Sequence, residues 1–498
     1  MAMLLTCLAA APFLLASIPP LTDVPGHIGR FAVQTASAGD PVLRYFGFRW
    51  GLTLNLASDG IVQLLHPVAG VLLVTRALCA LTPALTTLGL LSIARTLNPR
   101  GARALPWALL FVYNYPFLWG FLNYSLTAAL ALLLFPTWFA LDGARRRRAV
   151  IFLVATPILL IGHGVAGLVG VGLIVSYALG DALSDRAGRT AGTVVRALLP
   201  LWPVVSAAIV TVAIWKLFGN ADQGRTVWIG HRKTEAIWMM LRDQDVVFDV
   251  GSVASAALVW IAGRRSGARL GPGARGAVLF VILLFVATPS LISGSDRIDT
   301  RLAPLIPMVA FALQDWSAVA SRWSRAVTAA GFVLLAIRLG VTAYSFVGYD
   351  QSYRRELGAL DHVRRGARIL NLSQVACDAV SWRSNRLEHL ANLATPMRGA
   401  WVNAHWSIDG LQLLRIRYRP SARYDRDPSQ LIWPSSCIDA TVPFAQRERH
   451  SLTESIDRLP LDRVDYLWLV DARLPPGFRD PRLELVWSDG SSELYRTR

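Results

Sequence analysis

Charge is scarce in this sequence: only 17% of its 498 residues are Asp, Glu, Lys or Arg. Soluble globular chains carry about a quarter. With 53% hydrophobic residues and a mean hydropathy of +0.41, the chain is neither disordered nor an ordinary soluble protein. Lysine is almost missing, since Lys216 and Lys233 are the two lysines among 50 basic residues. Such an imbalance is a habit of genome composition rather than of chemistry. Cysteine is scarce too, four in all with no CxxC, which removes a cysteine zinc site and a disulfide-stapled mini-protein. No HExxH occurs either.

What the sequence has instead is apolar length. A bilayer crossing takes about 20 apolar residues, and eleven such stretches are predicted: 2–21, 77–97, 104–121, 124–141, 149–162, 165–181, 197–217, 251–263, 276–293, 302–316 and 326–347. The first lacks a basic start and runs into Pro19-Pro20, so it is read as a retained helix rather than a cleaved signal. With the N-terminus cytoplasmic, the inner loops hold sixteen arginines, among them Arg145 to Arg148, Arg186 and Arg189, against four acids. The outer loops balance ten basic against ten acidic residues. The formal charge of +17 therefore specifies orientation and implies no nucleic-acid partner.

From Asp350 onward the composition changes. The tail carries 22 basic and 19 acidic residues and no span-length apolar run. The fold class expected is an α-helical polytopic membrane protein, residues 1–349 with a long first outer loop at 22–76, followed by a C-terminal soluble α/β domain at 350–498. Eleven crossings put that domain on the outer face. Within it, 356–365 and 386–394 have helical spacing, while 367–370 and 465–470 read as strands. Residues 483–487 and 493–496 flank Asp489-Gly490 as a terminal hairpin. Cys377 and Cys437 both lie here, where an oxidising compartment permits a disulfide, although spacing does not place their Cα atoms.

The first outer loop concentrates the chemistry. Directly after the first span comes Pro19-Pro20-Leu21-Thr22-Asp23-Val24-Pro25-Gly26-His27-Ile28-Gly29-Arg30. A helix starting near Pro25 puts Asp23 at its entrance and His27 and Arg30 on neighbouring turns. Either Asp23 is a general base for an acceptor hydroxyl and Arg30 holds a phosphate, or Asp23 caps the helix and Arg30 snorkels to headgroups. His163, between two glycines at membrane depth, either binds a ligand or satisfies carbonyls at a helix break. Arg301 either pairs with Asp296 or Asp299 or reaches a lipid phosphate. The run from Gly164 to Gly172 has no soluble strand before it, so it reads as close helix packing rather than a dinucleotide loop. The basic and aromatic stretch 226–250 reads as an interfacial helix.

An acidic residue just past the first span, in a long outer loop, resembles the GT-C superfamily of integral-membrane glycosyltransferases, which includes protein O-mannosyltransferases and aminoarabinose transferases. Asp23 with His27 matches the place of that family's catalytic Asp, and Gly39-Asp40-Pro41 resembles the Gly-Asp pair that follows. The Glu-Lys-Pro-Pro segment of the aminoarabinose branch is missing; Arg44, Arg49 and Trp50 stand there instead. Leu160-Ile161-Gly162-His163-Gly164 resembles the small motif between two central spans, and residues 299–307 resemble the Arg- and Pro-bearing stretch that opens a late span.

The resemblance implies a sugar donor carried on a polyprenyl phosphate and a glycan, lipid or protein acceptor. It makes Asp23 the catalytic residue and gives His27, Arg30, Asp40, Arg44, Arg49, His163 and Arg301 substrate-binding roles. The span count and the inner-loop arginines place the enzyme in a bacterial inner membrane, N-terminus cytoplasmic, with the C-terminal domain periplasmic. Membrane lipid is a further partner. No cofactor is named; a divalent cation, Mg or Mn, on Asp23 and His27 stays open. The competing class is a non-enzymatic transporter or assembly factor, although no internal repeat marks one.

Overall fold

The computed structural model describes residues 1–184, 191–219, 225–292, 294–377, 382–408, 412–439 and 441–498. Asp185, Arg186 and Arg189 of the inner-loop charge count lie outside them. The chain divides into two compact units, each assembled from separate stretches. One comprises Met1–Leu15, Gly51–Gly60 and Ala77–Tyr344, and the other Ala16–Trp50, Ile61–Arg76 and Ser345–Arg498. Most of the first loop thus folds with the tail, and the boundary expected at 350 lies inside the Ser321–Leu357 helix.

The first unit is helical, and the protein is a polytopic membrane protein. Among the described residues, six helices are long and apolar enough to cross a bilayer: Ala57–Leu97, Leu122–Ala140, Gly164–Ala182, Val194–Phe218, Val246–Arg265 and Ser321–His362. Of the remaining expected spans, 149–162 lies whole within the Arg145–Gly162 helix and 276–293 is met by Pro272–Ala287, while the other three are shorter or broken. The first ends at Leu14 rather than residue 21, a length of about 20 Å at 1.5 Å per residue. The stretch 104–121 breaks at Asn114, whose Oδ1 accepts from the Phe117 amide to start a new five-residue helix with Pro116 in its first turn. The 302–316 span breaks between Ile298–Leu302 and Leu305–Leu313, where Pro304 stands. Within Ala57–Leu97 the chain forms two helices that meet at a kink at Gly70, whose φ of 72° and ψ of 158° suit glycine alone.

Small residues pack this unit. A Cβ at Gly172 would stand 1.9 Å from the Phe280 ring, one at Gly170 3.1 Å from the Ala131 Cβ, and one at Gly167 2.8 Å from the Leu160 backbone. The glycine run therefore serves helix approach, as its sequence context indicates.

The second unit is α/β. Its strands are β1 (Phe46–Phe48), β2 (Arg368–Gln374), β3 (Trp401–Val402), β4 (Leu414–Ile416), β5 (Leu431–Ile432), β6 (Tyr466–Val470), β7 (Leu483–Ser488) and β8 (Glu493–Thr497). The main sheet has the order β3-β2-β6-β8-β7, with β5 also on β2. β2 runs parallel to β3, β5 and β6, while β8 is antiparallel to β6 and β7. All five residues of β6 are buried, as a strand covered on both faces requires. One core face gathers Leu370, Leu372, Leu467 and Leu469 with Val33, Val42 and Phe46 of the first loop. The other gathers Ile369, Tyr466, Trp468 and Val470 with Ala391 and Ala394. β1 pairs antiparallel with β4, Phe46 opposite Ile416, so the loop is built into this unit by backbone as well as by packing. The helix expected over 386–394 begins only at Leu390, as a short 3-10 turn. Before it, Asn385 Oδ1 accepts from the Leu387 amide, a local turn that competes with helix. Cys377 and Cys437 are disulfide-bonded, Cα atoms 5.8 Å apart.

Candidate active site

The site grows from the Val24–Gln34 helix of the second unit. Asp23 occupies its N-cap position and Pro25 its first turn, but the Asp23 carboxylate does not cap the helix. It turns toward the tail instead, where Asp23 Oδ1 stands 3.8 Å from His389 Nε2. Two more carboxylates face the same nitrogen, Glu388 Oε1 at 3.6 Å and Asp427 Oδ1 at 3.9 Å. These are ion-pair separations, not hydrogen bonds. Gln430 Nε2 donates to Asp427 Oδ1 at 2.7 Å and lies 3.5 Å from His389 Nδ1. The His389 ring also bonds the Ala404 carbonyl, so an N–H of the imidazole is held by backbone.

Burial sets the electrostatics. His389 is held below its ordinary imidazole range because desolvation outweighs the pull of Asp427. The Asp427 carboxyl is raised by burial, against the opposing influence of His389 and Gln430. Next to them His405, wholly buried, is pushed down to about 3 by desolvation, with smaller contributions from His389 and Arg30.

One turn into the helix, Arg30 Nη2 meets His27 Nδ1 at 3.3 Å, and the guanidinium lies 4.9 Å from the Phe31 ring centroid. The half-buried Trp406 ring packs against both His27, at 5.5 Å, and His389, at 4.7 Å. Glycine makes this approach feasible. A Cβ at Gly26 would stand 2.4 Å from Trp406, and one at Gly29 2.6 Å from His405. Asp23, His27 and Arg30 are thus brought into one cluster with tail residues Glu388, His389, Trp406 and Asp427. Asp40, Arg44 and Arg49 are placed otherwise. Asp40 caps the following turn, its Oδ1 accepting from the Val42 amide at 3.0 Å, and both arginines are exposed.

The helical unit brings His163 and Arg301 together. His163 sits at the break between Arg145–Gly162 and Gly164–Ala182 and caps the latter through Nδ1. Arg301 Nη1 lies 3.4 Å from His163 Nε2, and its guanidinium is stacked 3.8 Å from the Phe121 centroid. The two acids weighed as partners of Arg301 hold other cations. Asp296 pairs with Arg232 and Asp299 with Lys233, and Arg301 Nη2 donates to the Asp296 carbonyl at 2.9 Å. An apolar groove of about 320 Å³, lined by Leu54, Pro157, Ile161, Val210, Ile214 and Trp215, begins two residues from His163.

The chain is similar to a solved structure along almost its whole length. That is the crystal structure of ArnT from Cupriavidus metallidurans bound to undecaprenyl phosphate. The likeness covers 99% of this chain and 96% of that one, at 12% identity and a TM-score of 0.49. No protein-family model and no curated protein matches the sequence. A likeness of that degree decides nothing about chemistry, which follows from the chain's own residues.

Two properties of those residues bear on a metal. Among the described residues no group of three or more His, Cys, Asp or Glu side chains is arranged to hold an ion. The Asp23–His27 pair considered from the sequence has a guanidinium at the His27 ring, a poor neighbour for a cation.

The tail members of the cluster, Glu388, His389 and Asp427, escape sequence reasoning because no spacing motif links them to Asp23. The readable signal was Gly26 and Gly29, three apart on one helix face beside His27. Such a pair marks a close approach by another element.

Proposed function

We propose that the protein is a membrane glycosyltransferase of GT-C type, moving a sugar from a polyprenyl-phosphate donor to an acceptor hydroxyl. The observation that carries the reading is a buried carboxylate, Asp23, that leaves its cap position to join a histidine and two further acids. A helix cap has no need of that arrangement; a general base does. Asp23 takes the acceptor proton as the acceptor oxygen attacks the anomeric carbon. The bond from that carbon to the phosphate oxygen breaks with inversion, and the lipid phosphate departs with one more negative charge. His389, neutral and tied to Gln430, positions the acids. Arg30 is the cation that this cluster brings to a phosphate oxygen.

In the helical unit, the Arg301–His163 pair beside an apolar groove suits a phosphate with a polyisoprenoid tail. The enzyme would work at the outer face of a bacterial inner membrane, its N-terminus cytoplasmic and its C-terminal domain periplasmic. The positive-inside arginines support that orientation. Acceptor hydroxyls on a glycan, lipid or protein fit the base equally well.

The test is sugar transfer from a labelled polyprenyl-phosphate donor by the purified protein. Asp23→Asn is expected to lower kcat about 10²- to 10⁴-fold while donor binding persists. Equal turnover by both proteins would remove Asp23 from the chemistry. Donor binding without transfer by the unaltered protein would leave a carrier or assembly factor.

A further inference from the structure

The second unit contains a cavity of about 330 Å³ that the reaction as described does not use. It is walled by the segment 422–429, by β5 and by residues 447–450. Three properties define what it can hold. Its charges cancel, with Arg423, Arg426 and Arg447 against Asp425, Asp427 and Glu448, which disfavours a phosphate or a polycation. Two of its lining side chains, Tyr424 and His450, are 3% and 8% exposed, and Tyr424 Oη and His450 Nδ1 are buried with no hydrogen-bond partner. An unpartnered buried polar atom is costly, so both point to a ligand. His450 Nε2 is committed to the Arg447 carbonyl at 2.8 Å, which leaves Nδ1 as an acceptor, while the Tyr424 hydroxyl can donate. Together they match a hydroxyl-bearing ligand that both gives and takes hydrogen bonds.

The third property is position. Asp427 lines the cavity and also faces His389 Nε2, the nitrogen that Asp23 faces. The volume lies in the range of small-ligand pockets.

We propose that this cavity is the acceptor subsite and that it takes a neutral sugar ring, so that the acceptor is a glycan. Tyr424 and His450 grip the ring's hydroxyls, and Asp427 sits where the cavity meets the cluster of the base. The assignment of the ring as acceptor rests on the glycosyltransferase reading; sugar binding in the cavity does not.

The test uses full-length protein in lipid nanodiscs and saturation-transfer NMR with the methyl glycosides of glucose, galactose and mannose. At least one glycoside is expected to bind. Tyr424→Phe, which keeps the ring and deletes the hydroxyl, should weaken binding about 3- to 10-fold. His450→Gln should do the same, because its amide can keep the bond to the Arg447 carbonyl while Nδ1 is lost. Binding is read without donor and transfer with it, so sugar binding without transfer would leave the subsite standing and remove only the glycosyltransferase reading. Absence of binding by all three glycosides, undiminished binding by both variants, or displacement by inorganic phosphate would each overturn the subsite.

Discussion

The sharpest test of the site's architecture is a single methyl group at Gly29. An alanine Cβ there would stand 2.6 Å from His405 Cε1 and 2.8 Å from the Asn392 carbonyl oxygen, where relaxed contacts between carbons lie at about 3.5–4.0 Å. Neither neighbour yields cheaply. His405 is wholly buried, bonded to Thr395 Oγ1 at 2.8 Å and set edge-on to Phe46, and the oxygen belongs to backbone. The Val24–Gln34 helix must therefore shift by roughly 1 Å, at an overpacking cost of about 1–3 kcal/mol. Alanine returns up to about 1 kcal/mol of helix propensity. Gly348, in the same unit and also helical, has nothing within 4 Å of its would-be Cβ, so Gly348→Ala isolates the propensity gain. Thermal unfolding of the two variants should differ by the overpacking cost, about 2–4 °C per kcal/mol for a unit of this size. Because the helix carries Asp23, a 1 Å displacement should also cost transfer activity about 10²-fold, and Gly348→Ala should cost none. Matching melting temperatures and matching turnover in the two variants would refute the close approach of helix and tail.

Acid should destabilise the second unit through His405. Folded, it stays neutral until about pH 3, whereas the unfolded chain takes that proton near 6.5. Stability is then complete above pH 6.5 and falls as pH drops toward 3, by about 1.4 kcal/mol per pH unit. His389 acts in the same sense and Asp427, raised by burial, in the opposite one. Melting curves of His405→Gln between pH 7.5 and 4.5 should flatten, and an unchanged slope would count against the burial argument. Within the helical unit, buried Arg338 Nη1 pairs with Asp249 Oδ1 at 3.1 Å and Nη2 donates to the Leu241 carbonyl at 3.1 Å. Arg338→Leu should destabilise by about 3–5 kcal/mol, and adding Asp249→Leu should recover part of that; a double variant no better than the single would contradict it. Arg301→Lys keeps the charge but loses the planar fork and much of the stacking on Phe121. Its affinity for a polyprenyl phosphate, measured in detergent by direct binding, should fall about tenfold, and an unaltered affinity would free Arg301 from that role.

The helical unit was legible to the extent that its signals are local. Apolar length located the long helices, and the misreadings occurred where a local breaker overrode hydropathy. Asn114 with Pro116, and Pro304, interrupt stretches whose composition alone promises continuous structure. The tail's strands at 368–374 and 466–470 and its terminal hairpin were readable for the same reason, a short β-rich run between turn residues. The sequence lines up His163 and Arg301 as separate oddities; their meeting depends on helix packing, which no spacing records.

The Asp23 cluster joins the first loop to the tail. Asp23 is held by a helix whose neighbours are Asn392, His405 and Trp406, and the same loop contributes β1 to a ladder with β4. Each of those contacts joins residues more than 350 positions apart, so hydropathy and motif spacing see two segments with nothing in common. Physically they are one folding unit: Val33, Val42 and Phe46 share a core with Leu370, Leu467 and Leu469. The acid that resembles a family's catalytic residue therefore takes its histidine partner, its neighbouring carboxylates and its close-packed support from the C-terminal residues. On the function proposed above, the C-terminal residues belong to the catalytic machinery, because without them Asp23 would have neither His389 beside it nor the surface that fixes its helix.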